Sequence, residues 1–250
     1  MKDGFMHDYN KLHKLWHQAH LVGSPTKFVR NQVVFKKLSQ LIPGNTLDVG
    51  CGTGEYSSFL AKAGHHVTAF DPSSFAIETF KSTRDRFQIN CEINTIENFE
   101  SSFLFDNIIS IEVIEHIESD EAFLRKLHGL LKKNGSIIIS APATPFLFSE
   151  ADKVSGHYRR YSFKILSNIL NDAGFTNIRI TRYGFPMLFI YSLLRKFFLD
   201  KLLIHHFESS GNSDNNKRFL ISKLYPLLLA IDHLDKPLWS IGYVAQGNKP

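Results

Sequence analysis

The chain has 250 residues, 43% of them hydrophobic, with 29 basic and 24 acidic side chains and a pI near 9.1. This length suits one α/β domain with an appendage and argues against two domains. The mild positive charge has no concentrated basic tail, so no nucleic-acid partner is expected. Cys51 and Cys91 favour a reducing cytoplasm over a disulfide framework, and the first residues lack the pattern of a secretory signal.

Apolar residues at helical spacing from about Tyr9 to Leu41 predict one or two helices in an N-terminal unit, residues 1–45, that covers a ligand site. His13, His17 and His20 share one face of such a helix at positions i, i+4 and i+7. Histidines on one face are potential metal ligands, but no carboxylate or cysteine joins them at ligand spacing. We therefore predict no metal site.

The stretch from Thr46 to Gly54 is an apolar run that stops in three alternate glycines and resumes as a helix from Glu55 to Ala63. Glycine lets the backbone turn sharply beside a ligand, and the helix directs free N–H groups towards it. The spacing is G-x-G-x-G, not the G-x-G-x-x-G of dinucleotide sites, and Asp48 would repel a pyrophosphate. Asp48 suits the α-ammonium of a methionyl group, which favours S-adenosylmethionine (SAM).

A second predicted strand, His66 to Phe70, ends in Asp71. This carboxylate follows the glycine loop at about the 20-residue spacing at which an acidic residue meets ribose hydroxyls. Pro72 comes next, and the serines at 73 and 74 are N-cap candidates for a helix that runs to about Arg84.

The rest of the pattern alternates strands and helices as far as Tyr183, as a doubly wound α/β sheet requires. The further predicted strands are Phe87 to Ile93, Asp106 to Ile111, Ser136 to Ser140, Thr176 to Tyr183 and Ile241 to Gln246, and the further helices are Ser119 to Leu131 and Ser162 to Ala173.

Five stretches of the chain occur together in one order: LDVGCGTG (47–54), FDPS (70–73), FDNII (105–109), EVIEHI (112–117) and GSIIIS (135–140). Together they resemble the class I SAM-dependent methyltransferases over about residues 30–183. The likeness is nearest to the ubiquinone-biosynthesis O-methyltransferases and the methyltransferases of surface-glycan pathways. The resemblance implies a Rossmann-like, doubly wound, mostly parallel seven-stranded sheet with an antiparallel last strand.

The resemblance also implies how SAM is held. Arg30 would contact the methionyl carboxylate, residues 94–98 would hold the adenine ring with Ile96 as an apolar face, and the backbone near Ile111 would meet the methionyl group. The predicted cofactor-binding residues are Arg30, Asp48, Gly50, Cys51, Gly52, Gly54, Asp71, Pro72, Thr95, Ile96, Ile111 and Glu112.

The residues after the fourth strand limit the class of methyl acceptor. Enzymes of this fold that methylate amino nitrogens of nucleic acids and proteins usually have Asn or Asp, then Pro-Pro and an aromatic residue at this point, whereas this chain has Ile111 followed by EVIEH. Cytosine-C5 methylation is also disfavoured because no Pro-Cys pair occurs. The pattern therefore favours a small-molecule acceptor.

The loop from Ser155 to Ser162 is the second candidate for chemistry, because open α/β folds bind ligands at the carboxyl ends of their strands. We predict that Tyr158, Arg159, Arg160 and Tyr161 contact the acceptor. The alternative is that the arginines pair with Glu150 or Asp152 and that Ser162 only caps the next helix.

A hydroxyl acceptor must lose a proton, for which the catalytic candidates near neutral pH are His157 and His116, oriented by Glu115. The alternative for His116 is a loop histidine that caps a helix or fixes Glu115.

The segment from Phe185 to Ile231 departs from the family pattern. It contains two apolar stretches, with a polar run at 208–217 between them, and Arg195, Lys196 and Lys201 make it too charged to span a bilayer. It either packs as a lid, forms a homodimer, or lies in a membrane interface. The predicted division is 1–45, a SAM-binding core at 46–183, the helical insertion at 184–238, and the last strand of the core at 239–250.

The predicted function is transfer of a methyl group from SAM to a small-molecule or lipid-like acceptor, a hydroxyl of a quinone, lipid or glycan, with S-adenosylhomocysteine as product. The protein would be cytoplasmic or peripheral at a membrane through residues 185–231. Two alternatives are a non-catalytic SAM-binding protein and a dinucleotide-dependent oxidoreductase; Asp48 and the glycine spacing disfavour the second.

Overall fold

The computed structural model describes residues 10, 25–83, 89–194, 196 and 240–250 of the chain. His13, His17, His20 and most of the insertion lie outside these residues, so the predictions made for them stay predictions. Among the residues that are described, no helix is both long and apolar enough to cross a membrane.

The described residues form a seven-stranded sheet in the order β3-β2-β1-β4-β5-β7-β6. The strands are β1 Asn45–Val49, β2 His66–Asp71, β3 Asn90–Ile93, β4 Phe105–Ile111, β5 Leu131–Pro142, β6 Thr176–Tyr183 and β7 Gly242–Asn248. All pairs are parallel except the two that β7 makes with β5 and β6. The predicted fold class, including the antiparallel last strand, is confirmed.

Helices cover both faces of this sheet. They are α1 Pro25–Leu38, α2 Glu55–Lys62, α3 Ser74–Thr83, α4 Asp120–Leu130, α5 Glu150–Val154, α6 Phe163–Asp172 and α7 Met187–Leu194. Neighbouring residues of one strand enter different cores: Ile108 packs into the cluster with Phe123 and Leu166, whereas Ile109 packs into the cluster with Val34 and Leu60. A sheet buried on both faces explains why these strands are continuous apolar runs rather than alternating ones.

The strand order reverses between β1 and β4, because the chain passes from β1 to β2 and β3 on one side and then returns to place β4 on the other. In open parallel sheets, ligands bind in the crevice that such a reversal opens at the carboxyl ends of the strands. The glycine loop after β1, Asp71 at the end of β2 and Glu112 after β4 all lie at this edge.

Candidate active site

The glycine loop between β1 and α2 has a backbone that side chains would disturb. Gly50, Gly52 and Gly54 have φ values of 71°, 54° and 81°, in the left-handed region that favours glycine. A Cβ at Gly54 would also lie 2.1 Å from the ring of Phe80. The loop is anchored to β2, since the N–H groups of Gly50 and Cys51 both donate to the carbonyl of Phe70.

Asp71 links this loop to the start of α3. Its Oδ2 accepts from the N–H of Gly52 at 2.9 Å, and its Oδ1 accepts from the N–H of Ser73 at 2.8 Å. An ionised carboxylate offers about four lone-pair positions, so both oxygens keep capacity for ribose hydroxyls. The predicted ribose ligand is therefore also the residue that shapes the loop, which its spacing in the sequence did not indicate.

Asp48 lies buried beneath the loop, where its Oδ2 accepts from the hydroxyl of Ser57 at 2.6 Å. Burial raises the pKa of Asp48, the Ser57 hydrogen bond lowers it, and the nearby charge of Asp71 raises it further, to a net value of about 7. A cationic group bound above the loop, such as the predicted α-ammonium, would favour the ionised form of Asp48.

Replacing Asp48 by asparagine is expected to remove a pH-dependent loss of stability. The pKa of Asp48 is about 7 in the folded protein and about 4 when unfolded, so the free energy of unfolding falls as pH rises through this window. Over the full difference of three pKa units, the free energy of unfolding falls by at most about 4 kcal/mol. Urea unfolding of both proteins at pH 5 and pH 8 measures the fall; an equal fall in Asp48→Asn would show that Asp48 does not cause it.

Arg30 of α1 reaches the loop that follows β4. Its Nη1 lies 3.0 Å from Oε2 of Glu112, and Glu112 Oε1 accepts from the hydroxyl of Ser140 at 2.8 Å. Arg30 Nε is buried without a hydrogen-bond acceptor in the part of the chain that the structure describes. A guanidinium with an unused donor beside the cofactor loop fits the predicted contact with a methionyl carboxylate, which binds arginine through two parallel hydrogen bonds.

The other predicted cofactor residues line the same edge with little exposure. Cys51, Ile96 and Ile111 are buried, and Pro72 is half-buried. The N–H of Thr95 donates to the side chain of Asn94. These positions are compatible with the predicted adenine and methionyl contacts, which stay predictions.

Three side chains meet beyond β4, and we call Glu115, His116 and His157 the acceptor-side cluster. Glu115 and His116 lie on a short 3₁₀ turn, Ile114–His116, and the N–H of Tyr158 donates to the Glu115 carbonyl, which brings the loop of His157 alongside. The two imidazole rings meet edge to face with centroids 4.8 Å apart. Glu115 is completely buried, and burial raises its pKa well above the ordinary value.

Asp152 anchors this loop; it was named from the sequence only as an alternative partner of the arginines, not as a partner of His157. Its Oδ1 accepts from His157 Nδ1 at 2.8 Å and from Arg160 Nε at 2.9 Å. Burial acts to raise the pKa of Asp152, but the hydrogen bonds from His157 and Arg160 prevail and lower it to about 2. The available signal was Ser149-x-x-Asp152, a capping box that starts α5.

The predicted acceptor-binding residues divide into two groups. Tyr158 is exposed, whereas Arg159 forms an ion pair with Asp120 at 2.8 Å and Arg160 one with Asp152. Tyr161 has no exposed surface, and its hydroxyl lies 3.1 Å from Oδ2 of Asp120, so the expectation that it contacts the acceptor is corrected: it supports the loop from the core. The alternative reading, in which Arg160 pairs with Asp152 and Ser162 caps α6, describes these residues better.

Comparison with known proteins places this geometry in a family. A family model described as a methyltransferase domain matches residues 27–180. A ubiquinone biosynthesis O-methyltransferase of Rickettsia felis is 42% identical over 96 residues, which cover 38% of this chain and 39% of that protein. The enzyme of the same name from Rhodopseudomonas palustris is 34% identical over 116 residues, covering 46% and 45%. The match thus spans less than half the length of these curated relatives.

Solved structures of methyltransferases share the fold of this chain. A SAM-dependent methyltransferase of Thermotoga maritima, described as a possible histamine N-methyltransferase, superposes with a TM-score of 0.64 at 17% identity and covers 98% of this chain and 99% of its own. Phosphoethanolamine N-methyltransferase 2 of Haemonchus contortus gives 0.59 at 20% identity, covering 88% and 52%.

Because the family model matches more than half of its residues, the chain belongs to the methyltransferase-domain family. The predicted membership of the SAM-dependent methyltransferases is confirmed.

Proposed function

We propose that the protein transfers the methyl group of SAM to a hydroxyl of a small or lipid-like acceptor. The acceptor loses its O–H proton, an O–CH₃ bond forms as the S–CH₃ bond of SAM breaks, and S-adenosylhomocysteine leaves. The cofactor supplies the reactive methyl group, and the protein aligns it with the acceptor oxygen and excludes water.

One observation carries this proposal: a candidate proton acceptor, His157, lies beside the short segment that also forms the cofactor edge. Glu112 pairs with Arg30 on the cofactor side, and Glu115 and His116 follow within four residues beside His157. Asp152 holds the Nδ1 proton of His157, so the Nε2 lone pair is directed away from Asp152, as in a histidine base oriented by a carboxylate. The hydroxyl proton would pass to that nitrogen.

The curated relatives support an oxygen acceptor, since two of them are named as ubiquinone biosynthesis O-methyltransferases. The structural neighbours include N-methyltransferases, but at 17–20% identity their similarity supports only the fold and not the acceptor. A quinone, lipid or glycan hydroxyl therefore remains the proposed acceptor class.

The test has two stages, both with the 250-residue chain. Calorimetry with SAM, S-adenosylhomocysteine, NAD and NADP should show binding of the first two only. Transfer of a tritiated methyl group to quinone, lipid and glycan extracts, followed by chemical analysis of the linkage, should then give a methyl ether. Binding of NAD would favour the oxidoreductase alternative, binding of SAM without transfer to any extract would favour the non-catalytic one, and an N-methyl product would refute the oxygen acceptor.

An amphipathic acceptor or a membrane surface is proposed as the partner of the segment that begins at α7. Ile190 and Tyr191 of α7 are exposed apolar residues, and so is Phe146, whose ring centre lies 4.5 Å from Nζ of Lys196. Apolar groups beside a cation fit an anionic lipid interface, where each cation contributes about 1 kcal/mol.

Flotation with anionic liposomes at low and high salt tests this surface. We expect the protein to float at low salt and to float less at high salt, and less again in the variant Ile190→Ser with Tyr191→Ser. If the protein does not float at either salt concentration and sediments as a dimer, the exposed apolar residues instead belong to a contact between subunits.

A further inference from the structure

Polar side chains join α1 to the first turn of α2. Lys27, Arg30 and Asn31 share one face of α1 at helical spacing. Glu55, the first residue of α2, directly follows the last glycine of the cofactor loop. Its Oε1 accepts from Nδ2 of Asn31 at 2.8 Å, and its Oε2 lies 2.8 Å from Nζ of Lys27. This face of α1 is therefore tied to the end of the cofactor loop.

The direction of each hydrogen bond here follows from the groups that make it. The carboxylate of Glu55 only accepts, so Asn31 turns its amide nitrogen to Glu55 and its Oδ1 to the other side. The hydroxyl of Tyr56 lies 2.6 Å from that Oδ1 and donates its single proton to it. The lone pairs of the Tyr56 oxygen are thus left for a donor.

The guanidinium of Arg30 is that donor. Burial raises the pKa of Tyr56, the charge of Arg30 and its side-chain hydrogen bond lower it, and the net value is about 12. At neutral pH the phenol therefore keeps the proton that it donates to Asn31 and accepts from Arg30. Tyr56 is buried, and its ring packs against Phe35 of α1 with centroids 5.4 Å apart, so its oxygen has little room to move.

These contacts fix Arg30 before a ligand arrives. Its Nη1 pairs with Glu112, and its Nε has no acceptor in the part of the chain that the structure describes. An arginine side chain has several rotatable bonds and loses much of its rotamer freedom when it binds an anion. A side chain that is already held in its bound position loses less of that freedom on binding, which raises the affinity.

We propose that Tyr56 is a positioning residue for SAM: its phenol, oriented by Asn31, holds the Arg30 guanidinium in place for the methionyl carboxylate. The inference rests on the predicted contact between Arg30 and that carboxylate, and it deepens the cofactor-binding part of the proposed function. Tyr56 acts through Arg30 and does not touch the cofactor. The sequence did not indicate this role, because Tyr56 and Asn31 are 25 residues apart.

The test compares two cofactors that differ only in the carboxylate. Calorimetry with the 250-residue chain gives the Kd for SAM and for decarboxylated SAM without any acceptor, so the result is independent of the methyl-transfer assay. Tyr56→Phe keeps the ring and removes only the hydroxyl. Tyr243→Phe is the matched control, because Tyr243 is a buried tyrosine in the core on the opposite face of the sheet. Thermal unfolding shows whether each variant is folded.

We expect Tyr56→Phe to raise the Kd for SAM by about 10-fold, as for the loss of one hydrogen bond to a charged group, and to leave the Kd for decarboxylated SAM unchanged. Tyr243→Phe should change neither value. Asn31→Ala removes the acceptor of the Tyr56 proton and should give a smaller rise, again for SAM alone. No rise for SAM in Tyr56→Phe, or an equal rise for both cofactors, would overturn the proposal.

A double-mutant cycle shows whether Tyr56 acts through Arg30. In the background of Arg30→Ala, Tyr56→Phe should have no further effect on the Kd for SAM, because the group that it positions is gone. A second rise as large as that in the wild type would contradict the proposal, since Tyr56 would then contact the cofactor itself. If Arg30→Ala does not fold, the comparison of the two cofactors in Tyr56→Phe still decides.

Discussion

Replacing His157 by alanine is expected to lower kcat for methyl transfer by about 10² to 10⁴ while leaving the Kd for SAM unchanged. His157 donates its Nδ1 proton to Asp152, so Nε2 carries the lone pair, and the ring of His157 lies against that of His116. Alanine removes that lone pair and with it the proposed proton acceptor. Initial rates at saturating SAM and equilibrium binding of SAM measure the two effects separately.

His66→Ala is the matched control, since it removes an exposed histidine away from the cluster and should leave kcat unchanged. A loss of only a few-fold in His157→Ala would mean that this side chain merely lines the pocket, and His116→Ala would then be measured in the same assay.

Replacing Asp71 by alanine is expected to raise the Kd for SAM by about 10- to 100-fold, since a hydrogen bond to a charged group contributes about 1.5–3 kcal/mol. The effect has two sources: the ribose hydroxyls lose their acceptor, and the N–H groups of Gly52 and Ser73 lose theirs, so the glycine loop is no longer held. Calorimetry gives the affinity, and thermal unfolding shows whether the fold is kept.

Glu78→Ala supplies the comparison for Asp71→Ala, because it removes an exposed carboxylate from α3 and should leave SAM binding as it is. Asp71→Asn separates the two sources, because its amide oxygen can still accept one of the two N–H bonds. Wild-type affinity in Asp71→Ala would show that the cofactor does not lie across this loop.

The cofactor side of the site could be predicted from the sequence because its chemistry is local. Alternate glycines at 50, 52 and 54 are needed wherever the backbone takes positive φ values beside a ligand, and Asp71 ends the neighbouring strand. Continuous apolar runs separated by helical patterns indicated a doubly wound fold, and the family resemblance implied the seven strands with an antiparallel last one.

The acceptor side could not be predicted in the same way because its contacts join distant segments. The partnership of His157 with Asp152, and the approach of both to Glu115, depends on how the loop after β5 folds against the turn after β4. Tyr161 illustrates the error that follows: it was predicted to contact the acceptor, yet it has no exposed surface and packs in the core with side chains of α4 and α6. The order of polar and apolar residues in the sequence does not reveal that this tyrosine is buried.

Because β7 is antiparallel to β6, the segment between these two strands begins and ends at the same edge of the sheet. Tyr183 closes β6 and pairs with Gly242, which opens β7, and the N–H of Ile241 donates to the Tyr183 carbonyl at 3.1 Å. Both ends of residues 184–241 are therefore joined at one point, on the edge that carries the glycine loop. Closing a chain of twice the length costs only about 0.6 kcal/mol more. We therefore expect that the segment between these two ends can be lengthened or shortened without a change in the register of β6 and β7.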